Sequence, residues 1–138
     1  MLYKIKEPYN NHEIVSIWLE AGFLLPSVYE ELTWIKDREE IGSEFFVYIM
    51  NKEIIGTVMI TAKKDKSAFL EYIAVKGQYR GQGYGREMLK SLFIILKERS
   101  FETVNLESKE KNIGFYEKAG FTLQYYKGRN LFFERKLS

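Results

Sequence analysis

The chain has 138 residues, with 21 Lys and Arg against 19 Asp and Glu and a formal net charge of +2. That length points to one domain, residues 1–138, with a core large enough to need no disulfide or metal staple, and so even a balance lends no support to a general nucleic-acid role. There are no cysteines and one histidine, His12; disulfides, thiolate metal sites and a cysteine nucleophile are excluded, and a histidine-based metal site or Ser-His-Asp triad is disfavoured.

The opening MLYKIKEPYN has no apolar signal core and no segment approaches ~18 apolar residues, so a cytoplasmic address is expected. Leu2 to Lys6 alternates and predicts a first strand. Ile14, Val15, Trp18, Leu19 and Phe23 then fall on one helical face, with Asn10 and Glu13 at the N-cap to N3 spacing. Ser27 and Glu30 repeat that signal before a second short helix carrying Leu32 and Ile35. The aromatic and β-branched runs FFVYIM (45–50) and EIIGTVMI (53–60) predict a hairpin with a two-residue turn at Asn51 and Lys52. KKDKS (63–67) is a second turn, its lysines a solvated surface or a contact for a phosphate. AFLEYIAV (68–75) is apolar nearly throughout, which predicts a central strand buried on both faces.

QYRGQGYGREML (78–89) follows. Met88, Leu89, Leu92, Phe93 and Leu96 predict a helix beginning near Gly85. ETVNLES (102–108) reads as a strand and NIGFYEKA (112–119) as a helix that Gly120 can end. FTLQYY and LFFERKL make a last hairpin about the turn from Lys127 to Asn130. The order β-α-α-β-β-β-α-β-α-β-β describes an α/β chain with a mixed (α+β) sheet.

Three alternating glycines, Gly81, Gly83 and Gly85, between a strand and a helix leave free backbone N–H groups at the positive end of the helix. Arg80 and Arg86 add charge. This is a place for a phosphorylated ligand, most economically a pyrophosphate. The dinucleotide pattern G-x-G-x-x-G fails, since the sixth position is Arg86 or Met88, and no Gly-Lys-Ser/Thr exists for a P-loop. The spacing that fits is R-x-x-G-x-G, from Arg80 to Gly85.

Between a buried strand and a helix, IAVKGQYRGQGYGREML resembles the acyl-CoA motif of the GNAT-type N-acetyltransferases, and NIGFYEKAGF resembles that family's second signature. The element order extends the likeness over nearly the whole chain. The resemblance implies a GNAT-like acyl-CoA N-acyltransferase fold and acetyl-CoA as cofactor. It implies cofactor contacts along Ile73, Ala74 and Val75, with the backbone of Ile73 and Val75 pairing to the pantetheine arm. The N–H groups of Gln82, Gly83, Tyr84 and Gly85 would hold the pyrophosphate, beside Arg80, Gly81 and Arg86. Tyr116 falls on the family's tyrosine near the CoA sulfur. Lys109 stands where many members have asparagine, seven residues before that tyrosine, and Asn112 is a further candidate contact.

Acetyl transfer to an amine needs a neutral amine, although a lysine-like amine has a pKa of roughly 10.4, and it gains from a proton donor to the thiolate. Without cysteine there is no acetyl-cysteine intermediate, so direct attack in a ternary complex is the reading. Tyr116 is the candidate acid, with core packing its plainer role. Glu71, the ionisable group inside the apolar run 68–75, is the candidate base, expected to be desolvated with its pKa raised; Glu107 or water are the alternatives. The expected partner is a small-molecule or peptide amine, with no nucleic acid or membrane, and a homodimer is compatible. Trp18, Tyr29, Trp34, Tyr125 and Tyr126, with Glu30 and Glu31, would border the acceptor. The rival from another class is a non-catalytic acyl-CoA-binding or regulatory module on the same fold.

Overall fold

The computed structural model describes residues 1–4, 11–23, 38 and 42–137. Seven strands form one sheet: β1 (Leu2–Lys4), β2 (Ser43–Met50), β3 (Glu53–Ala62), β4 (Ser67–Val75), β5 (Thr103–Lys109), β6 (Thr122–Lys127) and β7 (Asn130–Lys136). Their order across the sheet is β1-β2-β3-β4-β5-β7-β6. Helix α1 (Asn11–Glu20) lies between β1 and β2 in the chain, α2 (Tyr84–Glu98) between β4 and β5, and α3 (Ile113–Lys118) between β5 and β6. The proposed second helix and the Asn10 cap lie outside the described residues.

Sheet register follows the alternation in the sequence. Phe46, Val58 and Ile60 enter one core with the α2 residues Met88, Leu89, Leu92 and Leu96, whereas Phe45, Val47 and Met59 enter a second core with Ile14, Ile17 and Trp18 of α1. Successive strand residues therefore serve opposite faces, as a period of two requires. The face of α1 differs from the expected one: Ile17 is buried and Leu19 is 62% exposed. At 100° per residue Ile14, Ile17 and Trp18 make a tighter stripe than one that includes Leu19. Asn51 and Lys52 adopt φ of 49° and 67°, the left-handed pair that a two-residue type I′ turn needs.

β4 is central, as expected, but it is not buried throughout: Ser67, Ala68, Leu70 and Ala74 are buried and its other residues are half-buried. It pairs in parallel with β5 over Ser67, Ala68, Phe69 and Leu70, opposite Thr103, Val104, Asn105 and Leu106. Beyond Leu70 the two strands part. Residues 71–75 keep β3 on one side and show their other edge to a cleft.

Candidate active site

The parting of β4 from β5 begins at a bulge. Thr57 pairs with Ala74 and Met59 with Glu71, so Val58 alone faces both Tyr72 and Ile73. The extra residue puts Tyr72 in the left-handed region at φ 53°, uncommon for a bulky side chain. A bulge bends its strand and re-aims the residues after it. Here Ala68 and Leu70 before it, and Ile73 and Val75 after it, all pack on the α2-side core.

The cleft beside this edge has a volume of about 730 Å³. Ile73, Ala74, Val75, Arg80, Gly81, Gly83, Tyr84, Gly85, Arg86, Asn112 and Tyr116 all line it. Of the residues named from the sequence for the donor side, only Gln82 does not. Its side-chain amide turns back to the carbonyl of Gln78 (2.9 Å). Lys111 and Lys118 join the two arginines, and no carboxylate lies among the described lining residues.

The glycine loop is built from a 3-10 turn, Gly77–Tyr79, and an α2 start at Tyr84. Gly81 and Gly83 have φ of 75° and 89°, and a Cβ on either would meet open space. The first bond of the helix runs from Glu87 N–H to Gly83 (3.1 Å), leaving the N–H groups of Tyr84, Gly85 and Arg86 at the open end. Gly85 differs from the other two glycines. A Cβ there would lie 3.1 Å from the ring of Phe115, so its bareness serves the packing of α2 against α3. Arg80 folds back so that Nε donates to the carbonyl of Val75 (2.9 Å). One lone pair of that carbonyl is therefore already used.

Tyr116 is both a core residue and a cleft residue. It is 7% exposed and its ring packs near Phe115, Phe121 and Phe133 at centroid distances of 5.0, 5.7 and 5.5 Å, yet it also lines the cleft. Burial pushes its phenol above the ordinary value, and a hydrogen-bonding interaction with Ser108 works the other way. Asn112 Nδ2 donates to Ser108 Oγ (2.8 Å). Asn112 is thus tied to Ser108 at the end of β5 as well as bordering the cleft. Ser108, absent from the sequence reading, had no signal beyond its place at the end of β5.

Glu71 corrects a premise. It is not a lone desolvated carboxylate: its side chain is 31% exposed and Arg38 Nη2 donates to it at 2.6 Å. The bulge and the departure of β5 open that part of β4 to solvent, and sequence alone could not bring Arg38 across. Glu71 lines a second cleft of about 350 Å³ with Phe23, Phe69, Tyr72, Glu107, Ser108, Lys109 and Asn130. Both base candidates therefore share one cleft. Asn130 links its charges, donating to Glu107 and accepting from Lys109.

Trp18 is 1% exposed and borders neither cleft. Tyr125 stacks on Phe132 (4.6 Å) on the β6–β7 hairpin, and Tyr126 is exposed; neither lines the two clefts described above. Tyr29, Glu30, Glu31 and Trp34 lie outside the described residues. The 63–67 turn sits at the start of β4, the opposite end from the cleft, so its lysines are the solvated turn.

The sequence pattern of the Acetyltransferase (GNAT) family matches residues 4–121. The chain belongs to this family. GNAT relatives include streptothricin acetyltransferase A of Bacillus subtilis (strain 168), 33% identical over 88 residues, 62% of this chain and 51% of that protein. Another is the [ribosomal protein bS18]-alanine N-acetyltransferase of Haemophilus influenzae, 36% identical over 75 residues, 53% of this chain and 51% of that one. The chain spans about half the length of these curated relatives. The GNAT fold is also that of the PaiA N-acetyltransferase of Thermoplasma acidophilum, solved in complex with coenzyme A: TM-score 0.75 at 18% identity, covering 99% of this chain and 98% of that one. Within the GNAT frame, Lys109 donates to Asn130, and Asn112 donates to Ser108.

Proposed function

We propose that this chain is an N-acetyltransferase that moves the acetyl group of acetyl-CoA to a primary amine by direct attack in a ternary complex. The observation that carries the reading is one cleft holding the free edge of β4, the open glycine loop, four cationic side chains and the Tyr116 phenol. Bare N–H groups at a helix start and a cationic lining, free of carboxylates among the described residues, suit a pyrophosphate. The exposed edge at 71–75 suits an extended amide-bearing arm added as a strand. When bound, the thioester supplies an activated acyl group.

The protein's own groups do the rest. Tyr116, its pKa raised by burial, keeps a proton on Oη for a departing sulfur. Glu71 and Glu107 face the second cleft, where a carboxylate oxygen, or a water on it, takes the proton of the attacking amine. The acceptor is a small-molecule or peptide amine. The two relatives named above act on different acceptors, a streptothricin and a ribosomal protein alanine, so kinship leaves it open. The pairing of Glu71 with Arg38 favours the rival reading, a non-catalytic acyl-CoA-binding module, to the extent that it occupies the base candidate.

A panel of amines with acetyl-CoA, followed by a thiol reagent, separates the two. The chain has no cysteine, so every thiol detected is released CoA. Turnover with at least one amine, abolished in Tyr116→Phe with acetyl-CoA binding intact, supports the enzyme. Tight binding with no turnover across the panel supports the module.

A further inference from the structure

Trp18 and Thr57 are each 1% exposed. Buried polar atoms need partners, and these form a directed pair of hydrogen bonds: Trp18 Nε1 donates to Thr57 Oγ1 (2.8 Å), and Thr57 Oγ1 donates to the carbonyl of Tyr72 (2.9 Å). The direction is forced. An indole N–H can only donate, so the hydroxyl accepts from it and gives its single proton onward. The carbonyl receiving it belongs to the bulge residue, held at φ 53°, whose ring packs against those of Trp18 and Phe23 (5.1 and 5.4 Å).

We infer that Thr57, held by Trp18, is a positioning residue for the acyl-donor edge: it locks the bulge at Tyr72, and the bulge decides which face Ile73 and Val75 present. The inference rests on the acyl-CoA reading of that edge. Its consequence follows from register. Without the extra residue, strict alternation from Ala68 and Leu70 would put Tyr72 and Ala74 on the α2-side core in place of Ile73 and Val75, because a one-residue slip turns every side chain over. The same slip exchanges the inward and outward N–H and C=O groups along the cleft. A left-handed tyrosine gains by leaving that conformation, so something must hold it, and the Thr57 hydroxyl does. The far end of the segment is held from the same helix: Glu20 Oε1 accepts the N–H of Gly77 (2.7 Å). Helix α1 grips both ends of the donor segment from the opposite face of the sheet.

Thr57→Val keeps the shape and removes the hydroxyl, Thr57→Ser keeps the hydroxyl, and Leu137→Ala truncates a core residue away from the bulge as a control for lost stability. Two quantities are read for each, the affinity for acetyl-CoA by calorimetry and the amide exchange of residues 71–77 without ligand. Thr57→Val should weaken binding by about tenfold or more, the effect of one buried hydrogen bond lost, and speed exchange in 71–77. Thr57→Ser should restore both, and Leu137→Ala should change neither despite a lower Tm. Binding and exchange unchanged in Thr57→Val, or changed equally in Leu137→Ala, would overturn the inference. Failure of the wild-type protein to bind acetyl-CoA would overturn the acyl-donor reading instead, and exchange in 71–77 would still decide the role of Thr57 in the bulge.

Discussion

Tyr116 is the residue on which the proposed chemistry turns. Replacing it with Phe keeps the ring contacts with Phe115, Phe121 and Phe133 and removes only the hydroxyl. The account expects kcat to fall by roughly a hundredfold or more, the usual range for losing a general acid, with acetyl-CoA affinity little changed; stopped-time assays and calorimetry on the pair check this. Burial raises the phenol above its ordinary value, so the proton on Oη is retained past about pH 10. The buried neutral phenol contributes stability in full below that ordinary value and loses it as pH rises through the higher folded one. A pH profile of kcat should therefore show no loss of the acid below about pH 10; an alkaline limb between 7 and 9 that disappears in Tyr116→Phe would contradict the raising of the phenol by burial, and a kcat unchanged in Tyr116→Phe would contradict the role.

At the scale of elements, the glycine loop makes a sharper statement than its sequence could. Gly83→Ala puts a side chain at φ 89° with open space around it. It should cost about 1–2 kcal/mol of strain and weaken acetyl-CoA binding, because the new methyl stands at the mouth of the α2 N-terminus. Gly85→Ala meets Phe115 at 3.1 Å instead, and should cost about 1–3 kcal/mol as overpacking between α2 and α3. Denaturant midpoints and acetyl-CoA titrations of the two variants should thus separate by strain and by packing. R-x-x-G-x-G showed that the loop needs bare backbone, but not that its third glycine faces a phenyl ring, since Phe115 is thirty residues along. The strands and helices were legible because each keeps its period: Met88, Leu89, Leu92 and Leu96 are buried together. The bulge at Tyr72 was not. A tyrosine at positive φ leaves no mark in AFLEYIAV, and the half-buried stretch from Glu71 to Ile73 was read as buried for that reason.

For the whole molecule, the path from β4 to the glycine loop is held by charge as well as by hydrogen bonds from α1. Lys76 Nζ and Tyr79 Oη both donate to Glu53 (2.6 and 2.5 Å). Lys76, and then Tyr79, hold the Glu53 carboxyl below its ordinary value, and Glu53 holds the Lys76 ammonium above its own. A depressed carboxyl contributes in full above its unfolded value of about 4.3 and loses that contribution as pH falls through the lower folded value. A raised lysine contributes below about 10.4 and loses it above. Acetyl-CoA affinity should accordingly fall more steeply below about pH 4.3 in the wild-type protein than in Glu53→Gln, as pH-stepped titrations would show.

The cleft proposed for the acyl donor was legible because its motif is local. Ten of the eleven donor residues read from the sequence line one cleft. The acceptor side depends on contacts between distant segments, such as Arg38 with Glu71 and Asn130 with Glu107, which no local pattern announces. The most direct test of the account is a calorimetric titration of the protein with acetyl-CoA, with ATP and NAD as controls. Saturable binding of acetyl-CoA alone is the predicted result. No heat of binding at high micromolar acetyl-CoA, or equal binding of ATP, would contradict the assignment of the cationic cleft to an acyl-CoA.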